Sequence, residues 1–209
     1  MYKRQVKARQ EDDYSAFQPY LETNLKLRRE QASAIGYEAS PYDVLLDDYE
    51  PGENSENLKQ VLRGLREALV PLIAELGEAK DQPVDQFLRQ TYPVERQEQF
   101  GIHVATRLGF DFSRGRLDIT DHPFCTEIGP HDHRILTRYN PKDFSQAFYG
   151  ILHEAGHGIY DQGLRPDQYG LPSGAPISLG IHESQSRLWE NMVGRSPVSY
   201  THLTLPTIR

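Results

Sequence analysis

Apolar residues recur at three- and four-residue intervals along most of this chain, so helices are expected to dominate it. Over the first forty residues Phe17, Leu21, Leu25 and Arg28 follow one helical face, with many charges opposite. The segment from Tyr42 runs to a break at Pro51-Gly52. Ser55 is then an expected N-cap. Leu58, Val61, Leu62, Leu65, Leu69, Leu72, Ile73 and Leu76 form an apolar stripe that Gly77 would terminate. A shorter helix follows Pro93 and reaches Leu108, closed by Gly109. There the period changes. Residues 116–120 and 134–139 read as strands joined by a loop carrying Gly129-Pro130. Asn140-Pro141 pairs an N-cap residue with a proline, so the next helix is expected from about Pro141 to Gln162, stopped by Gly163. A Gly/Pro/Ser loop runs through Pro176, and a last helix covers roughly Ser178 to Val193.

The chemistry concentrates in the helix ending at Gln162. His153-Glu154-Ala155-Gly156-His157 is a His-Glu-x-x-His pentad. Imidazoles four residues apart project from one helical face and can share a metal ion, while the glutamate between them is placed to deprotonate a metal-activated water. Catalytic zinc takes a third protein ligand from a separate element. Glu183 and Glu190 are the downstream glutamates within reach. Glu183 is preferred because it falls in the polar cluster His182-Glu183-Ser184-Gln185, where a purely structural helix would bury apolar residues. Glu154 is then the general base. The fold class expected is mainly α: a helical, zincin-like metallopeptidase fragment with a small β-sheet beside the metal-binding helix.

Composition narrows the field. The 209 residues allow one domain with a sizeable core, or part of a larger one. A formal net charge of -7 disfavours nucleic acid and anionic membranes as partners. With a mean hydropathy of -0.66 and no apolar run near the ~20 residues that cross a bilayer, the chain is expected to be soluble. A single cysteine, Cys125, excludes an intrachain disulfide and suits a reducing, cytoplasmic setting. That thiol reads as a small buried group, His103 as a half-buried helix residue, His131 and His133 as solvated loop residues, and Trp189 with Leu188 and Met192 as core.

Several segments in order resemble the metal-dependent carboxypeptidases of the carboxypeptidase Taq family. They are Tyr42 through Gly52, His122-Pro123-Phe124, Asp132-His133-Arg134, the pentad, His182 through Gln185, and Arg187 through Asn191. The likeness covers about Lys7 to Ser196. It implies a helical, homodimeric exopeptidase that removes C-terminal residues from peptides with broad specificity, proline excepted, using Zn²⁺ or sometimes Co²⁺. On the matching positions His153, His157 and Glu183 are metal ligands and Glu154 the catalytic glutamate. The His-Pro-Phe and Asp-x-Arg-x-Thr segments of the substrate cleft fall on His122, Pro123, Phe124, Asp132 and Arg134. Leu136 stands where the second of these expects threonine. An exopeptidase needs a cation for the substrate's free carboxylate, and a guanidinium can hold one with two hydrogen bonds. Arg134 is the candidate in this segment, and an ion pair with Asp132 is its alternative.

The family's chains are longer and carry two further motifs, Ile-Arg-x-x-Ala-Asp and Gly-x-x-Gln-Asp-x-His-Trp, that this sequence lacks. The expectation is therefore a piece of a metallocarboxypeptidase over residues 1–197, truncated at both ends. Residues 198–209 (Val-Ser-Tyr-Thr-His-Leu-Thr-Leu-Pro-Thr-Ile-Arg) are expected to be a non-native tail that resembles a translated sequencing adaptor. Such a piece would be weak or inactive. The competing readings are an oligoendopeptidase or aminopeptidase with the same pentad, and a non-catalytic helical module.

Overall fold

The structure, a computed structural model, describes residues 2–81 and 90–197, with side chains from Arg4 onward. The expected adaptor-derived tail, 198–209, lies outside the described residues. Two units are distinguished, one up to Ala79 and one from Lys80.

The first unit is entirely helical among its described residues: α1 (Tyr2–Gln10), α2 (Tyr14–Ile35), α3 (Pro41–Asp47) and α4 (Ser55–Glu78). The break between α1 and α2 is built by Asp12, which adopts a left-handed φ of 50°, and by Asp13, whose carboxylate caps α2 at Ala16 N. At α4 the cap is Asn54 rather than Ser55: the Asn54 side chain accepts from Asn57 N, while Ser55 N donates to Asp43 Oδ1. The helix also passes through Gly77 to Glu78. Its stripe forms as spaced, but Val61, Leu62, Leu65, Leu69, Leu72, Ile73 and Leu76 are all exposed.

The second unit holds α5 (Val94–Leu108), β1 (Gly115–Ile119), β2 (Phe124–Gly129), β3 (Asp132–Thr137), α6 (Phe144–Gln162) and α7 (Leu179–Arg187). A π-helical segment, Leu188–Val193, continues α7. Helix α5 ends as expected at Gly109, whose φ of 110° is left-handed. The sheet order is β1-β3-β2, with β1 parallel and β2 antiparallel to the central β3. Strand β2 occupies what was expected to be loop. It is an edge strand whose Phe124 and Ile128 are exposed, so it lacks the pattern of a half-buried strand.

Helix α6 starts at Phe144, later than expected from Asn140-Pro141. The Asn140 side chain is spent on a turn, accepting from Lys142 N, and Asp143 caps the helix by accepting from Ser145 N and Gln146 N. One face of α6 lies on the sheet. Ile151 and Ala155 pack with Ile135, Phe110 and Ala105 in the core, and Phe100, Phe144 and Phe148 stack along the α5–α6 boundary. Several side-chain expectations change here. His133 is fully buried, because its alternate position on β3 faces inward with Ile135 and Thr137. His103 is exposed. Trp189 is half-buried, and Leu188 and Met192 are exposed, so they form no core. Among the described residues no helix is long and apolar enough to cross a membrane.

Candidate metal centre

Helices α6 and α7 make the site by packing at unusually short range. A Cβ on Gly156 would stand 2.7 Å from Ser186 Cα and 2.8 Å from the Gln185 carbonyl oxygen. Only glycine admits that approach, and it brings Glu183 on α7 to the imidazoles on α6. Ala155, the other variable position of the pentad, faces the core. The pentad thus buries its small residues while its two histidines face Glu183.

Glu183 Oε2 lies 3.6 Å from His153 Nε2 and 3.3 Å from His157 Nε2. One donor atom from each of the three residues falls within 4.8 Å of the others. Ligand atoms about 2 Å from a shared tetrahedral centre sit roughly 3.3 Å apart, so this donor set fits a single small divalent cation. The other oxygen, Oε1, accepts from Arg187 Nε at 2.8 Å, and Ser186 Oγ donates to Oε2 at 3.1 Å. Burial works against ionisation of Glu183, but His153, Ser186 and Arg187 together outweigh it and hold the carboxyl below its usual range.

Glu154 is buried, 6% exposed. Burial first, then the negative charges of Glu183 and Glu190, push its pKa up to about 7, against a smaller pull from His182. His157 moves the other way: burial, then His182 and His153, lower it to about 4, so it stays neutral and able to ligate well into acid. Its Nδ1 is buried and without a hydrogen-bond partner among the described residues.

Four further participants were not assigned from sequence. His182 stacks on His157 with ring centroids 4.5 Å apart, and its Nε2 lies 2.7 Å from Asp161 Oδ1. Asp161 carries the 153–157 spacing one step further along α6, a signal that was available. Glu190, weighed above only as a ligand, instead accepts from His153 Nδ1 at 2.9 Å. Arg195 reaches Glu190 Oε1 at 3.3 Å and lies over the Tyr149 ring. Beside His153 and Glu190 opens a cleft of about 490 Å³ lined by Tyr149, Gly150 and Arg195 among others. Cys125 sits on β2 with its thiol 3.9 Å from Asp161 Oδ2, where burial and then the Asp161 and Glu154 charges push its pKa far up, as for an inert thiol.

The expected substrate-binding residues are not gathered with these groups. Arg134 donates Nε to Asp132 Oδ1 at 2.9 Å and its terminal nitrogen to Oδ2 at 2.7 Å, the ion pair weighed as its alternative. Strand alternation puts Asp132, Arg134 and Phe124 on the sheet face away from α6, since Ile135 and Thr137 face the helix and Phe124 pairs with Leu136. His122 is exposed in the turn before β2.

Comparison with known proteins agrees with this geometry. The family model described as carboxypeptidase Taq (M32) metallopeptidase matches residues 2–209. The chain is 42% identical over 198 residues to thermostable carboxypeptidase 1 of Thermus thermophilus, covering 90% of this chain and 39% of that protein. It is 39% identical over 194 residues to carboxypeptidase 1 of Bacillus subtilis, covering 93% of this chain and 39% of that one. The crystal structure of the M32 carboxypeptidase from Deinococcus radiodurans R1 superposes with a TM-score of 0.83 at 40% identity, over 99% of this chain and 43% of that chain. The chain therefore spans about two fifths of the length of these relatives. A His-Glu-x-x-His pentad on a helix packed against a small sheet, in a sequence matched along nearly all its length, makes this chain a member of the carboxypeptidase Taq (M32) metallopeptidase family.

Proposed function

We propose that the whole protein is a zinc-dependent carboxypeptidase that releases residues from the free C-terminus of peptides, with broad specificity and without acting on proline. The observation that carries this reading is the convergence of His153 Nε2, His157 Nε2 and Glu183 Oε2 beside a buried glutamate. Two imidazoles and a carboxylate are a usual ligand set of catalytic zinc, and Co²⁺ can be accommodated by the same donors. Bound there, such an ion would supply Lewis acidity that polarises the scissile carbonyl and makes water more acidic.

The remaining steps belong to the chain. Glu154 accepts a proton from the attacking water and returns it to the amine of the departing residue, so the water is split between the new carboxyl and the released amino acid. In the metal-free chain burial and the Glu183 and Glu190 charges raise this carboxyl, and the positive charge of a bound cation would draw it back down, leaving it ionised as a base near neutral pH. Burial keeps bulk water from competing for that proton. His182, stacked on His157 and tied to Asp161, holds the second imidazole in place. The full-length protein is proposed to be a cytoplasmic homodimer. These 209 residues alone are proposed to turn over weakly, as they amount to about two fifths of their relatives. His122, Phe124, Asp132 and Arg134 are proposed to contact substrate only in the whole protein. There Arg134→Ala should raise KM, and an unchanged KM would remove this group from the cleft.

Product analysis of zinc-loaded protein on matched peptides with free and amidated C-termini tests the reading. Single residues should be released from the free C-terminus only, and Glu154→Gln should abolish release. Internal cleavage would instead indicate an oligoendopeptidase, and release from the N-terminus an aminopeptidase. Failure to bind stoichiometric zinc would indicate a non-catalytic helical module.

A further inference from the structure

We propose that Glu190 is the positioning residue of the metal centre, a carboxylate that orients His153 and is itself braced by Arg187 and Arg195. The inference rests on the reading of His153, His157 and Glu183 as metal ligands and adds the group that aims one of them.

The argument is one of donors and acceptors. His153 Nδ1 lies 2.9 Å from Glu190 Oε2, at hydrogen-bond distance, and the Glu190 side chain is largely buried. An ionised carboxylate can only accept, so Nδ1 must carry the hydrogen. That assignment leaves the lone pair of the neutral ring on Nε2, the atom that faces Glu183 Oε2. Glu190 thereby selects the tautomer able to ligate and fixes the plane of the ring. Such outer carboxylates typically contribute ~10–100-fold to metal affinity.

Two guanidinium groups hold Glu190 in turn. Arg187 reaches Oε2 at 3.1 Å while its Nε holds Glu183, so one side chain ties the proposed ligand to the orienting residue. Arg195 reaches Oε1 at 3.3 Å, is anchored by Asn191 at 3.0 Å, and is stacked 3.9 Å over Tyr149. A flexible glutamate bound by two cations and one imidazole has few alternative rotamers. The π-helical segment Leu188–Val193 that carries Glu190 is itself a wide-turn distortion of the kind found where a helix must aim a side chain. The second imidazole lacks this device, since His157 Nδ1 is buried without a partner among the described residues.

The test measures zinc affinity by competition with a chromophoric chelator for the protein, Glu190→Gln and Glu190→Ala, with circular dichroism as the fold control. Glu190→Ala should weaken zinc binding about 10–100-fold. Glu190→Gln, whose amide oxygen can still accept from Nδ1–H, should fall between the two. Affinities within threefold of one another would overturn the proposal. Zinc binding that is absent from the unsubstituted protein would instead refute the ligand assignment beneath it. Should the alanine variant fail to fold, ¹⁵N NMR of the unsubstituted protein decides: Nδ1–H on His153 supports the proposal, and Nε2–H without Nδ1–H overturns it.

Discussion

Replacing Glu154 by glutamine should make the metal-stripped protein more stable above neutral pH while removing its proposed base. The folded protein raises the Glu154 pKa from 4.5 to about 7 through burial and the charges of Glu183 and Glu190. At about 1.4 kcal/mol per tenfold change, keeping this carboxylate ionised costs the fold ~3 kcal/mol. The sign follows from proton binding. Between pH 4.5 and about 7 the folded state binds more protons than the unfolded chain, so stability falls as pH rises through that window. Glutamine removes the penalty without changing side-chain size. For a chain of this length ~3 kcal/mol corresponds to a Tm increase of roughly 6–12 °C. Calorimetry of chelator-treated protein should show that gain at pH 8 and little of it at pH 4. A gain equal at both pH values, or destabilisation at pH 8, would refute the claim that burial of an ionisable group is the cause.

The same background exposes His157. Its pKa is lowered from 6.5 to about 4, so its contribution is fully present above pH 6.5 and lost as pH falls toward 4. In the unsubstituted protein this opposes Glu154 and flattens stability between about pH 4.5 and 6.5; in Glu154→Gln, Tm should fall steadily as pH is lowered through that range. Glu183→Ala should reduce zinc affinity by at least 100-fold, measured by chelator competition, because only two imidazoles remain and Arg187 loses one of its two carboxylate partners. Gly156→Ala should lower both Tm and metal affinity, since its Cβ would meet the α7 backbone at 2.7 Å and displace Glu183; retained affinity with a lowered Tm would show that α7 tolerates the shift. Ile135→Ala, at a fully buried site between α6 and Phe110, should cost about 2–5 kcal/mol in denaturant unfolding.

How much of this was legible beforehand divides along physical lines. Signals confined to one turn of chain were readable: the Gly109 stop, the end of α6 at Gln162, and the pentad that sets two imidazoles on one face. Cap choice was read less well, because Asn54 and Asp143 compete with neighbours of similar capping strength and the winner depends on what else each neighbour bonds. Burial that depends on a distant partner was not readable. His133 looked like a loop residue until β2 and β1 flanked it, and the stripe on α4 showed a helix without showing what it would face. Within the site, Glu183 was accessible through its polar surroundings on a helix. The role of Glu190 was not, because a residue that orients a ligand has no spacing rule of its own. It depends on a π-helical turn and two arginines that only the folded chain brings to His153.

X-ray absorption at the zinc edge, on protein loaded with one equivalent of Zn²⁺, tests the central claim most directly. The account predicts one ion with two imidazole nitrogens and a carboxylate oxygen at about 2 Å, and loss of the imidazole signature in the His153→Ala, His157→Ala double variant. An unchanged spectrum in that variant, or an ion bound without imidazole, would contradict it.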